Sequence, residues 1–303
     1  MTKLSVNIAG LKLRNPVMLA AGILGMSYRT LKRVYESGAG AVVTKSIGLK
    51  PRTGFKNPTL IEVECGLLNA MGLPNPGVDY FAEEISKLKK CRVKVIASIY
   101  GFTTQEYVIV AKKVWEAGAD AIEVNCSCPH VKEVGLVGQN PKLVMRITKA
   151  IKNAVDIPVF VKLTPNVTDI TLIAKAVEEA GADAVTAINT VSGMAVNIET
   201  EKPILAAIHG GLSGPAIKPI ALKAVYQIYR TVKIPVIGCG GVTNWRDAVE
   251  FMLVGAKAVQ IGTGIYLKGL KIFRDIVKGI WRYMKNKGYE SIEDIIGKAN
   301  LKT

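Results

Sequence analysis

The sequence predicts a single (β/α)8 barrel, and three observations predict it. One phrase recurs four times, as Gly38-Ala39-Gly40-Ala41-Val42, Gly118-Ala119-Asp120-Ala121-Ile122, Gly181-Ala182-Asp183-Ala184-Val185 and Gly255-Ala256-Lys257-Ala258-Val259. Proline stands at the start of two further apolar runs, Ile157-Pro158-Val159-Phe160-Val161-Lys162 and Ile234-Pro235-Val236-Ile237-Gly238. Amphipathic helical segments separate most of these runs.

Residues 1–15 read as a short β-hairpin plug, with Asn7-Ile8-Ala9-Gly10-Leu11-Lys12 supplying the turn. Eight strands follow, near 16–21, 40–45, 94–99, 120–125, 158–163, 183–188, 235–239 and 257–262. In the repeated phrase, glycine suits a left-handed helix C-cap, the small alanines let helix and strand approach, and the apolar run suits a strand buried on both faces. Proline at a strand's start removes no central ladder bond. Of the helices, 169–180 is the clearest: Ile170, Ile173, Ala174 and Val177 share a face and Asp169 can cap the start. The connections 46–76 and 189–215 are too long for simple βα loops, and long loops in compact domains commonly carry function. A doubly wound open sheet is the competing architecture.

The 303 residues, 49% of them hydrophobic, suffice for one large core, so 1–303 reads as one domain. No apolar run is long enough to span a bilayer, and residues 1–7 do not resemble a secretion signal, so a cytoplasmic location is expected. The five cysteines are odd in number and scattered, unlike a disulfide framework. No Cys-x-x-Cys or iron–sulfur spacing is present and there are two histidines, so no metal site is expected. The net charge of +16 is spread over many helices with few aromatics, which reads as a solvated lysine-rich surface rather than a nucleic-acid interface.

In parallel α/β proteins the carboxyl ends of the strands build the active site. Here those ends carry Ala20-Ala21-Gly22, Lys45-Ser46, Ser98, Asn125 to Cys128, Lys162, Asn189-Thr190, Gly240-Gly241 and Gly262-Thr263. The glycine turns follow strands seven and eight, where barrels commonly hold phosphate, and Asn244 can cap the next helix. A dinucleotide GxGxxG fingerprint is absent. Lys45 and Lys162 end otherwise apolar strands, which is costly unless they meet negative charge, such as an anionic cofactor or substrate. A flavin fits, because a cation near its pyrimidine edge stabilises the anionic reduced form. Asn69, Asn125 and Asn189 both donate and accept, and suit a planar substrate with alternating N–H and C=O edges. In Asn125-Cys126-Ser127-Cys128-Pro129-His130 a thiol stands among these amides. Cys126 would share a face with Cys128, yet a pair two apart is poorly placed for a disulfide.

Taken in order, Lys45-Ser46, Asn69-Ala70-Met71-Gly72-Leu73-Pro74-Asn75-Pro76-Gly77, Ser127-Cys128-Pro129, Lys162-Leu163-Thr164-Pro165, Ile188-Asn189-Thr190 and Gly240-Gly241-Val242 resemble dihydroorotate dehydrogenase. The similarity runs over roughly residues 5–280 and is nearest to class 1B, whose catalytic subunit works with an electron-transfer subunit. The resemblance implies a TIM barrel carrying FMN that oxidises (S)-dihydroorotate to orotate in de novo pyrimidine synthesis. It implies that Cys128 takes the C5 proton while the C6 hydrogen leaves as hydride to the flavin. A thiol doing so must lose some pKa or be deprotonated concertedly. Lys45, Asn69, Asn125, Asn189 and Thr190, with Met71, Gly72 and Leu73, would hold the substrate. Ala21, Gly22, Lys45, Ser46, Asn125, Lys162, Ile188, Gly214, Gly240, Gly241, Gly262 and Thr263 would hold FMN. The segment after Pro129, with Gly135 and Gly138, resembles a lid that excludes water. Class 1B behaviour would also need a separate subunit with FAD and a [2Fe–2S] cluster feeding NAD, around a homodimer core in a heterotetramer. Fumarate or a quinone are the other acceptors.

One position departs from the pattern: His130 stands where the family commonly has Asn. Ser-Cys-Pro-His also occurs in dihydropyrimidine dehydrogenases, which reduce uracil or thymine on the same barrel, as do Leu163-Thr164-Pro165-Asn166-Val167-Thr168-Asp169 and Asn189-Thr190-Val191-Ser192-Gly193. His130 therefore reads as a contact to the substrate carboxylate, as a satisfied loop residue, or as a mark of that other activity. Met71 points the opposite way, since the pyrimidine reducers carry an acid near this position and an apolar residue there presents no repulsion to a carboxylate. A non-catalytic flavin-binding barrel is the reading from another class.

Overall fold

The computed structural model describes residues 3–126 and 137–300. β1 (Val6–Ile8) and β2 (Leu11–Leu13) form the expected antiparallel hairpin. Its turn uses Ala9 at φ 48° and Gly10 at φ 92°, a pair of positive φ values that matches the right-handed strand twist. Residues Ala9 to Lys12 share a cleft with Lys94, Asp120, Pro158 and Asp183, so the hairpin sits at the N-terminal end of the strands. β3 (Val17–Leu19) and β4 (Ala41–Val43) precede a second hairpin, β5 (Leu60–Val63) and β6 (Gly66–Asn69). Next come β7 (Val95–Ile99), β8 (Ala121–Asn125), β9 (Val159–Leu163) and β10 (Ala184–Ala187). Four short strands follow: β11 (Val191–Gly193), β12 (Val196–Asn197), β13 (Lys202–Pro203) and β14 (Gly210–Ser213). β15 (Val236–Cys239) and β16 (Ala256–Ile261) complete the set.

Eight strands close a parallel barrel in the order β10-β15-β16-β3-β4-β7-β8-β9, which excludes the doubly wound sheet. All eight lie within or one residue beyond the predicted ranges. The reasons given for them hold locally. Pro16, Pro158 and Pro235 stand just before β3, β9 and β15, and their carbonyls still accept ladder bonds from Val259, Ile122 and Val185. Gly38, Gly118, Gly181 and Gly255 all have positive φ, as the C-cap reading requires. The helix Ile170–Glu179 starts at Asp169, whose side chain accepts from Thr171 N, and it buries Ile170, Ile173, Ala174 and Val177.

The two long connections are not irregular loops. β5 and β6 from the first join β11 and β14 from the second in one antiparallel sheet, ordered β11-β14-β6-β5. The strands are three or four residues long and include Gly66, Gly193, Gly210 and Gly211. Their pairing joins residues as distant as Asn69 and Gly211, 142 positions apart. Local periodicity carries no trace of such a sheet. Among the described residues, no helix is long and apolar enough to cross a membrane.

Candidate active site

A cavity of about 320 Å3 opens at the carboxyl ends of the barrel strands, beside the four-stranded sheet. Every described residue of the two predicted binding sets lines it. Ala21 and Gly22 follow β3, and Lys45 and Ser46 follow β4. Asn125 ends β8, Lys162 lies within β9, and Ile188, Asn189 and Thr190 follow β10. Gly240 and Gly241 follow β15, and Gly262 and Thr263 follow β16. The sheet side contributes Asn69, Met71, Gly72, Leu73 and Gly214. Cys128, His130 and Gly135 lie outside the described residues.

A chain of hydrogen bonds crosses the mouth of the barrel. The Ser98 and Ser46 hydroxyls are 3.1 Å apart, and Asn125 Nδ2 donates to Ser46 Oγ at 3.0 Å. Asn189 Nδ2 donates to Asn125 Oδ1 at 3.4 Å, and Thr190 N donates to Asn189 Oδ1 at 2.8 Å. The Asn125 backbone is held too, its carbonyl accepting from Tyr107 Oη at 3.1 Å. Donors and acceptors alternate along this chain, so the direction each amide faces is set before any ligand arrives. Asn69 Nδ2 donates to Gly211 O at 3.0 Å, which brings the third amide to the same cavity through the pairing of β6 and β14.

The floor is built differently. Lys162 is buried, and its Nζ donates to Gln260 Oε1 at 3.0 Å. Gln260 Nε2 donates to Glu123 Oε2 at 2.5 Å, and Thr186 Oγ1 donates to the same oxygen at 2.9 Å. Glu123 Oε1 faces Lys162 Nζ at 3.8 Å. Burial works against the Lys162 charge, but the Cys239 sulfur and the Glu123 carboxylate outweigh it and hold its pKa above the ordinary lysine value. Lys162 therefore meets negative charge inside the protein itself. Sequence reading missed Glu123, Thr186, Gln260 and the lining residue Cys239. A signal was available for the first three: alternate residues of a strand share a face, so Asn125 marks Glu123, Ile188 marks Thr186 and Gly262 marks Gln260.

The two buried cysteines differ in place. Cys126 is packed into the core, and burial pushes its thiol up to about 12, so it is an inert core thiol. Cys239 lines the cavity beside Lys162; burial pushes its thiol up, and the ammonium pulls the other way.

At the far end of the cavity the turns after β15 and β16 lie together. Thr263 Oγ1 donates to Ser213 Oγ at 2.7 Å, tying the last turn to the sheet. The turn after β15 is braced by Asp247, whose Oδ2 accepts from Thr243 N at 2.8 Å and Asn244 N at 3.1 Å. Asn244 caps the next helix, Trp245–Leu253, as expected. Gly262 is informative because nothing among the described residues requires it to be glycine. Its φ is not positive, and an added Cβ would meet only the Ala20 Cβ, at 3.7 Å. Its missing side chain leaves room in the cavity rather than relieving the fold.

The dihydroorotate dehydrogenase family profile matches residues 3–284. The chain belongs to the dihydroorotate dehydrogenase family. Membership makes it an oxidoreductase of that family, and relatives agree across the full length. The chain is 52% identical over 297 residues to the dihydroorotate dehydrogenase B (NAD(+)) catalytic subunit of Pyrococcus abyssi, covering 98% of this chain and 99% of that one. It is 52% identical over 302 residues to the subunit of the same name from Methanocaldococcus jannaschii, covering 98% of each. A crystal structure of the Eimeria tenella enzyme in complex with ferulenol shares the fold, with a TM-score of 0.88 at 23% identity over 99% of this chain and 89% of that one.

Proposed function

We propose that this chain is the catalytic subunit of an NAD-linked dihydroorotate dehydrogenase, oxidising (S)-dihydroorotate to orotate with FMN. The observation that carries the reading is the convergence of both predicted residue sets on one cavity whose lining holds two lysines and, among the described residues, no carboxylate. Such a lining suits an anionic substrate beside an anionic cofactor. It disfavours the reduction of neutral uracil or thymine, and the names of the relatives point the same way. A purely binding role leaves the ordered amides at the mouth without a purpose.

The residues present fit FMN. Gly262 leaves space that neither backbone nor packing demands, and the adjoining glycine turns offer backbone N–H groups to a phosphate. Ala21, Gly22, Lys45, Ser46, Asn125, Lys162, Ile188, Gly214, Gly240, Gly241, Gly262 and Thr263 would hold it. When bound, FMN supplies the two-electron acceptor for the hydrogen leaving C6 of the substrate. Asn69, Asn125, Asn189 and Thr190 present alternating donors and acceptors to the substrate ring, with Lys45 and the Met71-Gly72-Leu73 segment beside them, and the serine–asparagine chain keeps the amides from turning. Cys128 is the base for the C5 proton, and His130 contacts the substrate carboxylate. An electron-transfer subunit with FAD and a [2Fe–2S] cluster passes electrons to NAD, around a homodimer of this chain in a cytoplasmic heterotetramer. The "catalytic subunit" in the relatives' names supports a partner of this kind.

The test is anaerobic mixing of the purified flavoprotein with dihydroorotate, followed by flavin absorbance. Rapid bleaching is expected, and Cys128→Ser should bleach about 10²–10⁴-fold more slowly with its flavin still bound, the range typical of general bases. A yellow protein that dihydroorotate leaves oxidised would overturn the substrate. Equal rates for the two proteins would remove Cys128 from the chemistry.

A further inference from the structure

Beneath the cavity lies a polar layer that the binding roles above do not use. Glu123, Thr186 and Gln260 come from β8, β10 and β16, alternate strands of the barrel. Layers of this kind are ordinarily filled by branched apolar side chains. Here Glu123 is 0% exposed, and both hydrogen bonds to its Oε2 are donated to it. Its Oε1 has no hydrogen-bond partner and faces Lys162 Nζ at 3.8 Å. Gln260 closes the figure, since its oxygen accepts from Lys162 and its nitrogen donates to Glu123. Only Lys162 and Gln260 of this group reach the cavity.

Stability does not account for the arrangement. Burying a charge with one oxygen lacking a hydrogen bond is costly, and buried ion pairs are commonly no better than apolar packing. The layer makes sense through the ammonium it holds. We propose that Glu123 is the positioning residue for Lys162: directly and through Gln260 it keeps a charged ammonium at the cavity floor, and so sets the preference of bound FMN for its reduced form. This rests on the flavin reading above. Cys239 is the other neighbour of Lys162, but Glu123 holds the ammonium twice over, facing its Nζ at 3.8 Å and reaching it through the Gln260 bridge. A cation at that place favours a cofactor that gains negative charge on reduction.

The experiment measures the flavin midpoint potential in Glu123→Gln, which keeps the shape of the side chain. A fall of about 30 mV is expected, the equivalent of a tenfold weaker preference for the two-electron-reduced flavin. Glu123→Asp, which restores the charge, should recover part of the shift. Lys162→Met should lower the potential at least as far, and the double variant should go no lower than Lys162→Met alone. A potential that is unchanged or raised in Glu123→Gln overturns the proposal, as does an additive double variant. If Glu123→Gln fails to fold, Thr186→Val removes one bond to the same carboxylate and should shift the potential the same way by less; no shift there overturns it too. Titration of the Lys162 side chain by carbon NMR in the purified full-length chain gives a readout without flavin, and Glu123→Gln should lower its pKa. A wild-type chain that takes up no FMN overturns the flavin reading, and an unmoved Lys162 titration overturns the positioning role separately.

Discussion

Asp120 and Glu123 stand three residues apart, one just before a barrel strand and the other at its centre. At the N-terminal end, Asp120 accepts from Val95 N at 2.9 Å and pairs with Lys89 and Lys94 at 2.5 and 3.0 Å. Asp183, at the same place in the repeat, accepts from Val159 N at 2.7 Å and from Lys152 at 2.6 Å. These acids fasten one strand to its neighbour and keep contact with water. Glu123 faces inward, is sealed from water, and leaves one oxygen without a hydrogen bond. The same residue class thus serves the fold at one place in the barrel and the cavity at another, and what separates the two is contact with water, which the side chains of Asp120 and Asp183 keep and that of Glu123 lacks.

Three changes sharpen or break that division. Asp120→Ala should have the largest effect, lowering unfolding free energy by about 2 kcal/mol, because it strands the Val95 N–H and two lysines. Urea unfolding would measure it, and FMN affinity should stay at the wild-type value; weakened binding with normal stability would break the comparison. Gly262→Ala is the converse case. Its Cβ enters the cavity, so FMN binding should weaken about tenfold, roughly 1.4 kcal/mol, with no loss of stability in the flavin-free chain. Fluorescence titration with FMN checks this, and undiminished affinity would mean that the space at Gly262 belongs to something else.

The smallest effect tests an acid at the cavity end that behaves like those at the other. Burial pushes the Asp247 carboxyl up, but Lys218 and Thr243 outweigh it, so its pKa lies below the ordinary 3.8. A depressed carboxyl contributes stability above its unfolded value and loses it as pH falls through the folded value. Asp247→Asn should therefore be slightly less stable at neutral pH, by less than about 1 kcal/mol, because its partner Lys218 is part-exposed and also pairs with Glu250. It should also lose less stability than wild type as pH drops below 3.8. Parallel acid-side curves for the two proteins would show that Asp247 is not held in this way.

The barrel was readable because it is written as a repeat: the positive-φ glycines and the prolines before strands mark the boundaries one unit at a time. The rim of the site was readable for the same reason, since strand ends are where such a fold exposes Lys45, Asn125 and Asn189. Reading stopped short in two places. The sheet of β5, β6, β11 and β14 has no local pattern, and forms only because the barrel brings 46–76 and 189–215 together. The floor was overlooked because Glu123, Thr186 and Gln260 lie one step below the strand ends, inside segments whose apolar neighbours made them look like uninterrupted core. A charged residue within an otherwise apolar barrel strand was the available clue. Lys162 was read toward an external anion, whereas the protein supplies Glu123 beneath it.

The barrel closes where β16, from the end of the chain, pairs with β3, from its beginning. A ribosome releases these strands far apart in time, since synthesis proceeds at about 5–20 residues per second. Until β16 emerges, Lys162 and Glu123 lack the Gln260 bridge, and the turn carrying Gly262 and Thr263 does not exist. A nascent chain stalled before that strand lacks one of the eight strands that close the barrel. The cavity is therefore set late in the order of synthesis, because no chain can form it before β16 and the turn after that strand have been made.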